Sequence, residues 1–292
     1  MTLPITVLLA AKNEAANLPK CLAALAGRVE RTVVIDSHST DGSADIARAA
    51  GAEVVPFDYS GGYPKKRQWA LETLAISTEW ILLLDADEVV PPALWDEIAV
   101  AIAEPDAPAA FFITKGFHFL GRRFRFGGFS FAAVLLIRRG KGRFEELVSD
   151  SAGALDMEIH ERMIVDGAIG RLNTPLIHDD FKGLEAYIDR HNRYSTWEAK
   201  LRLEFLTSGS YGSRSVRPKL FGNTQERRRW LKKLAIRTPG ESFLWFAYHY
   251  VFRLSFLEGH AGWIACRLRS DYIAAVRAKM IEFRRQHVRD SQ

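Results

Sequence analysis

Apolar residues form near-continuous runs at 5–10, 32–35, 53–57 and 80–84, and each run ends in a polar stretch. Between them the spacing changes. Leu18, Leu22, Leu25 and Ala26 recur at helical intervals, and 46–50, 65–76 and 93–103 also read as helices. Short apolar runs alternating with helical segments predict βαβ units around a parallel sheet covered on both faces.

Past residue 105 the pattern becomes that of short strands separated by glycines, at 109–115, 117–120, 122–126 and 133–138, which suggests antiparallel pairing. Phe124, Phe126, Phe129 and Phe131 alternate, as one packed face of a strand would. A hairpin is expected around Asp166-Gly167, between 163–165 and Leu176-Ile177-His178-Asp179-Asp180. From Gly183 a long helix follows, with Leu184, Ile188, His191, Tyr194 and Leu201 on one stripe. The Ser- and Gly-rich stretch 208–218 reads as a linker, and 230–236, 243–257 and 272–283 as helices beyond it. These boundaries predict a catalytic domain over 1–207, with halves at about 1–105 and 106–207, and a basic amphipathic helical region over 208–292.

Composition narrows the class. At 48% hydrophobic and 26% charged, the 292-residue chain has the material for a large folded core and none of the bias of a disordered segment. Its two cysteines, Cys21 and Cys266, stand far apart without zinc-site spacing, so a disulfide scaffold is excluded and a reducing compartment expected. The opening residues lack the pattern of a signal peptide, and 243–257 is too short and too interrupted to span a bilayer, so a cytoplasmic location is expected. Charge is unevenly spread. Residues 1–213 carry 23 Lys/Arg against 29 Asp/Glu, whereas 214–292 carry 17 against 6, which suits contact with an anionic surface. Trp245 and Trp263 beside that basic face would suit a membrane interface; the same stripes also suit packing on the main domain.

The candidate chemistry lies at the end of the run 80–84, where Asp85-Ala86-Asp87-Glu88 places three carboxylates in four residues. Ligands of open α/β sheets gather at the carboxyl ends of strands, and two carboxylates one residue apart can hold a hard divalent cation that also binds phosphates. The plainer reading is an acidic turn before the helix at Pro91-Pro92. Two other readings fail on spacing. Gly61-Gly62-Tyr63-Pro64-Lys65-Lys66 is not a phosphate loop, and His160-Glu161 has Ile164 where a zinc protease needs a second histidine.

Lys12-Asn13-Glu14 after the first strand, Asp36 with Ser39-Thr40-Asp41-Gly42-Ser43 after the second, and Asp85-Ala86-Asp87 after the fourth resemble glycosyltransferase family 2 over roughly residues 3–200. The segment 66–71, with sequence KRQWAL, together with His160-Glu161, Leu176-Ile177-His178 and the helix 187–194, is most similar to the lipopolysaccharide-core glucosyltransferase branch. The resemblance implies an A-type, Rossmann-like fold with a mainly parallel sheet, a small antiparallel acceptor-side sheet and a helical C-terminal appendage. It also implies a nucleotide-diphosphate sugar donor, UDP-glucose as first guess, with Mg²⁺ or Mn²⁺ and inversion at the anomeric carbon.

Transferred by position, Glu14 and Asp36 would contact the nucleoside, Asp85 would sit near ribose and metal, and Asp87 would ligate the ion. Lys65, Lys66 or Arg67 would add positive charge at the diphosphate, and His178 is a further possible ligand. Glu161 matches the position of the general base that takes the acceptor hydroxyl's proton, with Glu158, Asp156 and Asp150 close in sequence. The implied acceptor is a lipopolysaccharide-core or lipid-linked glycan, not a nucleic acid, met at the inner face of the cell membrane through peripheral contact of the basic region with anionic lipid.

One departure from the family matters. Processive members carry Q-x-x-R-W before membrane spans, whereas Gln225 and Trp230 are one residue too far apart, so a single sugar per encounter is expected. Two alternatives stay open: transfer to a polyprenyl phosphate, which needs little base assistance, and a non-catalytic nucleotide-binding scaffold at a membrane.

Overall fold

The structure is a computed structural model, and it describes residues 2–146, 162–180, 182–208, 216 and 218–290. The described residues form two compact units, the first from 2–118, 130–145 and 162–180, the second from 119–129, 146 and the described chain from 182.

In the first unit the expected alternation is present: β1 (Leu3–Ala11), α1 (Leu18–Leu25), β2 (Val29–Asp36), α2 (Ser43–Ala49), β3 (Glu53–Pro56), α3 (Lys66–Thr73), β4 (Trp80–Asp85), β5 (Glu88–Val89) and α4 (Pro92–Ala103). Then come β6 (Ala110–Phe119), β7 (Arg122–Arg123), which falls in the second unit, β8 (Phe131–Arg138), β9 (Gly142–Phe144), β10 (Met163–Val165), β11 (Ile169–Arg171) and β12 (Leu176–His178). The main sheet runs β3-β2-β1-β4-β8-β6-β12-β5, with β11 beside β6. Strands β1 to β4 are mutually parallel, β8 is antiparallel to both β4 and β6, and β12 is parallel to β6. The antiparallel segment expected after residue 109 therefore belongs to the main sheet, and β9 with β10 makes a separate two-stranded one.

The apolar run of β4 is continuous because both of its faces are covered. Trp80, Leu82 and Leu84 pack with α1, α2 and α4 residues such as Leu22, Ala47 and Trp95, while Ile81 and Leu83 pack on the other side with Ala70, Phe144 and Met163. Trp95 also donates its indole N–H to the Ala24 carbonyl, 3.0 Å away, fixing α4 against α1.

The second unit is helical: α5 (Gly183–Ser208), α6 (Thr224–Ala235), α7 (Glu241–Ala247), a π-helical turn (Tyr248–Phe252), a 3-10 turn (Ser255–Glu258) and α8 (Gly259–Asp290). The second unit takes in the chain from Lys182, so α5 clusters with the C-terminal helices, whereas the sequence places the linker at 208–218. Of the α5 stripe, Leu184 and Ile188 are exposed while Leu201 is buried, together with Trp197, Ala199 and Phe205. Tyr272, Ile273, Val276 and Met280 on α8 meet Ala199 in a shared core, as the stripe through 272–283 predicts. Helix α6 starts where Asn223 accepts from the amides of Gln225 and Glu226, and Glu226 returns a bond to the Asn223 amide, a capping box.

The helix expected over 243–257 is broken. Leu254 sits at φ 60°, in the left-handed region, and separates the π-helical turn from the 3-10 turn. No helix among the described residues is long and apolar enough to cross a membrane.

Candidate active site

Strand register decides which acids meet. In the parallel core Asp36 lies opposite Ala11 and Asp85 opposite Ala10, so both carboxylates emerge at the carboxyl ends of strands flanking β1. The loops after β1 and β2 are laced together. Asn13 takes the left-handed conformation, its amide donates to Ser39 Oγ at 2.8 Å, and its side-chain oxygen accepts from the Thr40 amide at 2.8 Å. Asp41 accepts from the Ala15 amide and from Ser43, and Ser43 Oγ in turn accepts from the Glu14 amide at 2.7 Å. Burial works against the charge on Asp41, but the hydrogen bonds from Ser43 and Ala15 prevail and hold its carboxyl below the ordinary range. Much of the polar motif read as donor-contacting therefore also builds the loops that hold Glu14 and Asp36.

Asp36 is buried and accepts from the Ser39 amide at 3.0 Å and from its hydroxyl. Glu14 accepts from Asn17 Nδ2 at 2.7 Å, and the same amide donates to Asp180 at 3.1 Å. Lys66 is turned inward and donates to the Ala11 carbonyl at 2.8 Å. Arg67 forms an ion pair with Asp85.

A second register brings the other acids together. Strand β12 runs antiparallel to β5 with His178 opposite Glu88, and parallel to β6 with Leu176 opposite Lys115. The Asp179 amide donates to the Asp87 carbonyl at 3.0 Å, closing the turn between them. As a result His178 Nε2 lies 3.3 Å from Asp87 Oδ2, and Lys115 Nζ lies between Glu88 and Asp85, 2.8 Å from Asp85 Oδ2. Glu88 also accepts from the Asp85 amide at 3.0 Å.

The electrostatics follow from burial and neighbours. Burial disfavours the charge on Asp85, yet Arg67 and Lys115 outweigh it and hold the carboxyl far below its usual range. At Glu88 burial dominates and pushes the carboxyl up despite Lys115. The His178 imidazole is disfavoured as a cation by burial, but the Asp87 charge prevails and pushes it up to about 9. Cys21, whose thiol faces the Asp85 carbonyl, is pushed up by burial and by the same acids, which disfavours its thiolate.

Asp87, Glu88 and His178 each offer a ligand atom, all within 4.8 Å of one another. Asp87 Oδ1 is buried and makes no hydrogen bond among the described residues, which is the state expected of an oxygen directed at a cation. The donor set, two carboxylates and an imidazole, fits a divalent ion of the Mg²⁺ or Mn²⁺ type.

Of the residues picked out in the sequence, Asp85, Asp87, Arg67 and His178 come together here, and Glu14, Asp36 and Lys66 surround the adjoining loops. Glu161 lies outside the described residues, as do His160, Glu158, Asp156 and Asp150. Lys115, Asn17 and Asp180 were missed. For Lys115 the signal was a lone lysine inside the apolar run of β6.

The fold, with acids at the carboxyl ends of its parallel strands, is that of the A-type glycosyltransferases. The sequence profile "Glycosyl transferase family 2" matches residues 6–148. It is similar to the "Lipopolysaccharide core biosynthesis glycosyltransferase LpsC" of Rhizobium meliloti, 29% identical over 208 residues, which cover 69% of this chain and 73% of that protein. An "Uncharacterized glycosyltransferase" of Rickettsia felis is 35% identical over 99 residues, 34% of each chain, so this chain matches about a third of that relative's length. Among solved structures, a mannosyltransferase of Pyrobaculum calidifontis in complex with GDP-Man and Mn²⁺ is 16% identical, with a TM-score of 0.47, over 96% of this chain and 88% of that one.

Proposed function

We propose that the protein moves one sugar from a nucleotide-diphosphate sugar, a UDP-sugar in the first instance, to a hydroxyl of a lipopolysaccharide-core or lipid-linked glycan. The observation that carries the reading is the buried Asp87 Oδ1 with no hydrogen bond, grouped with Glu88 and His178 at the carboxyl end of the sheet. Asp87 and His178, with Glu88 as a possible third, would hold Mg²⁺ or Mn²⁺. The ion would supply charge neutralisation on the departing diphosphate.

This chain's own residues do the rest. Glu14 and Asp36 offer carboxylates to the hydroxyls and N–H groups of the nucleoside, each aimed by the laced loops described above. Arg67 and Lys115 keep Asp85 ionised and fixed, so the acids approach the donor in one arrangement. Glu161 is assigned as the base that takes the acceptor proton, on the family resemblance alone. The relative named for lipopolysaccharide core biosynthesis supports the acceptor class.

The test is a panel of UDP-, GDP-, ADP- and dTDP-sugars with Mn²⁺ or Mg²⁺, scored by release of nucleoside diphosphate. One donor should be hydrolysed slowly in a metal-dependent way, and Asp87→Asn should lower that rate on the order of a hundredfold, the loss expected when one metal ligand's worth of charge stabilisation goes. Full activity in Asp87→Asn would remove the metal role. No turnover of any donor would remove the transferase reading of this site.

A further inference from the structure

We infer that one end of the second unit is a docking surface for an anionic phospholipid bilayer, built by two segments far apart in sequence. The first is the broken helix after α7. Phe243, Leu244, Tyr248, Val251, Phe252, Leu254, Phe256, Leu257 and Trp263 are all exposed, with Phe243 at 71% and Phe252 at 75%. Ring contacts join several of them with the half-buried Phe246 and Tyr250: the Tyr248 and Phe252 rings lie 6.4 Å apart, Phe246 stacks on Tyr250 at 5.2 Å, and Tyr250 meets Phe256 at 6.3 Å. Monomeric proteins seldom leave so many large apolar groups together in water without a use for them.

The second segment is the loop 119–129, which exposes Leu120 and Phe126 together with Arg122, Arg123 and Arg125. It is tied to the first by backbone. The amides of Arg125 and Phe126 donate to Glu258 Oε1 at 2.6 and 2.8 Å, and the Gly127 amide donates to the Arg253 carbonyl at 2.8 Å. His249 Nδ1 lies 2.6 Å from the Gly127 carbonyl. Gly127 and Gly128 both have positive φ, and a Cβ on Gly127 would sit 2.8 Å from both the Phe129 ring and Ser255 Oγ, so glycine is what lets the loop lie this close.

Charge chooses the occupant. Across 119–129 and 243–263 the exposed ionised groups are Arg122, Arg123, Arg125 and Arg253, and the single carboxylate, Glu258, is buried beneath them. Aromatic and aliphatic tips ringed by arginines, without an exposed acid, match a surface whose headgroups are anionic and whose interior is apolar. Trp245, which from sequence belonged with the membrane-facing aromatics, is instead half-buried, stacked 3.9 Å from His249 and packed on Phe129, so it supports the patch from beneath.

The experiment is cosedimentation of the full chain with vesicles of pure phosphatidylcholine and of phosphatidylcholine mixed with phosphatidylglycerol, without donor or metal, so that its failure leaves the sugar-transfer reading untouched. Binding is expected to the anionic vesicles and to weaken as salt is raised. Phe243→Ser with Phe252→Ser, both at exposed positions, should weaken it roughly tenfold or more through lost apolar insertion. Arg123→Ser with Arg125→Ser should weaken it by a similar factor, roughly fivefold per arginine, and flatten the salt dependence. Unchanged circular dichroism shows that the variants fold. Wild-type protein left in the supernatant, or both double variants binding as wild type does, would overturn the inference. So would a wild-type dimer, without vesicle binding, that Phe243→Ser with Phe252→Ser turns into a monomer, since the face would then join two copies.

Discussion

Lys115 is the residue on which the charge balance of the site turns. A buried ammonium between the buried Glu88 and the half-buried Asp85 offsets their desolvation, and the same positive charge would oppose a divalent ion on the neighbouring Asp87. Lys115→Met is therefore expected to act in two directions. It should lower stability by about 3 kcal/mol, because Glu88 is left buried without its cation, and it should tighten Mn²⁺ binding several-fold. A urea titration and calorimetric Mn²⁺ titration of the same variant check both; weaker Mn²⁺ binding would show that Lys115 holds the acids in place more than it repels the ion. His178 gives a pH dependence. Its folded pKa, pushed up to about 9, stands above the ordinary 6.5, so its pairing with Asp87 stabilises fully below about 6.5 and is lost as pH rises through about 9. In EDTA the difference in melting temperature between wild type and His178→Gln should be largest at pH 6 and vanish above pH 9, and a difference that grew with pH would contradict the pairing.

Elements explain what could be read from the chain and what could not. Strands β1, β2 and β4 were legible because burial on both faces leaves an unbroken apolar run, which few other structures produce. Leu82, fully buried against α1 and α4, should on replacement by alanine cost about 2–5 kcal/mol, measured by urea unfolding, whereas Val100→Ala on the exposed side of α4 should change little. Strand-end acids were legible for the same reason, since each follows its run directly. The pairing of β5 with β12 was not. Each is two or three residues long, and their meeting depends on a register across about ninety positions that no local pattern records. That is why His178 stood out only as a resemblance and Lys115 not at all. The helix over 243–257 failed differently: its apolar residues mimic a buried face, yet the helix breaks at Leu254 and many of them stay exposed.

At the scale of the whole molecule, the sites divide between the two units. The acids and bases of the candidate donor site belong to the first unit, while the second has its own core and its own buried charges. There Arg202 is paired with Glu198 and Glu241, Lys232 reaches Glu198 at 3.0 Å, and the Tyr272 hydroxyl donates to Glu198 at 2.5 Å. Burial pushes Tyr272 up, reinforced by the Glu198 charge, so it stays a neutral donor. These pairs join α5, α6, α7 and α8 within the second unit, which gives the network a structural part. Arg202→Met should cost roughly 3 kcal/mol, the low end for breaking a buried ionic network because Lys232 and Arg277 still face the two glutamates. Well below its lowered unfolding midpoint, that variant should bind Mn²⁺ as tightly as the wild type does. Parallel urea and Mn²⁺ titrations separate the two quantities, and a matching loss of metal affinity would mean that the helical unit's integrity governs the strand-end acids directly.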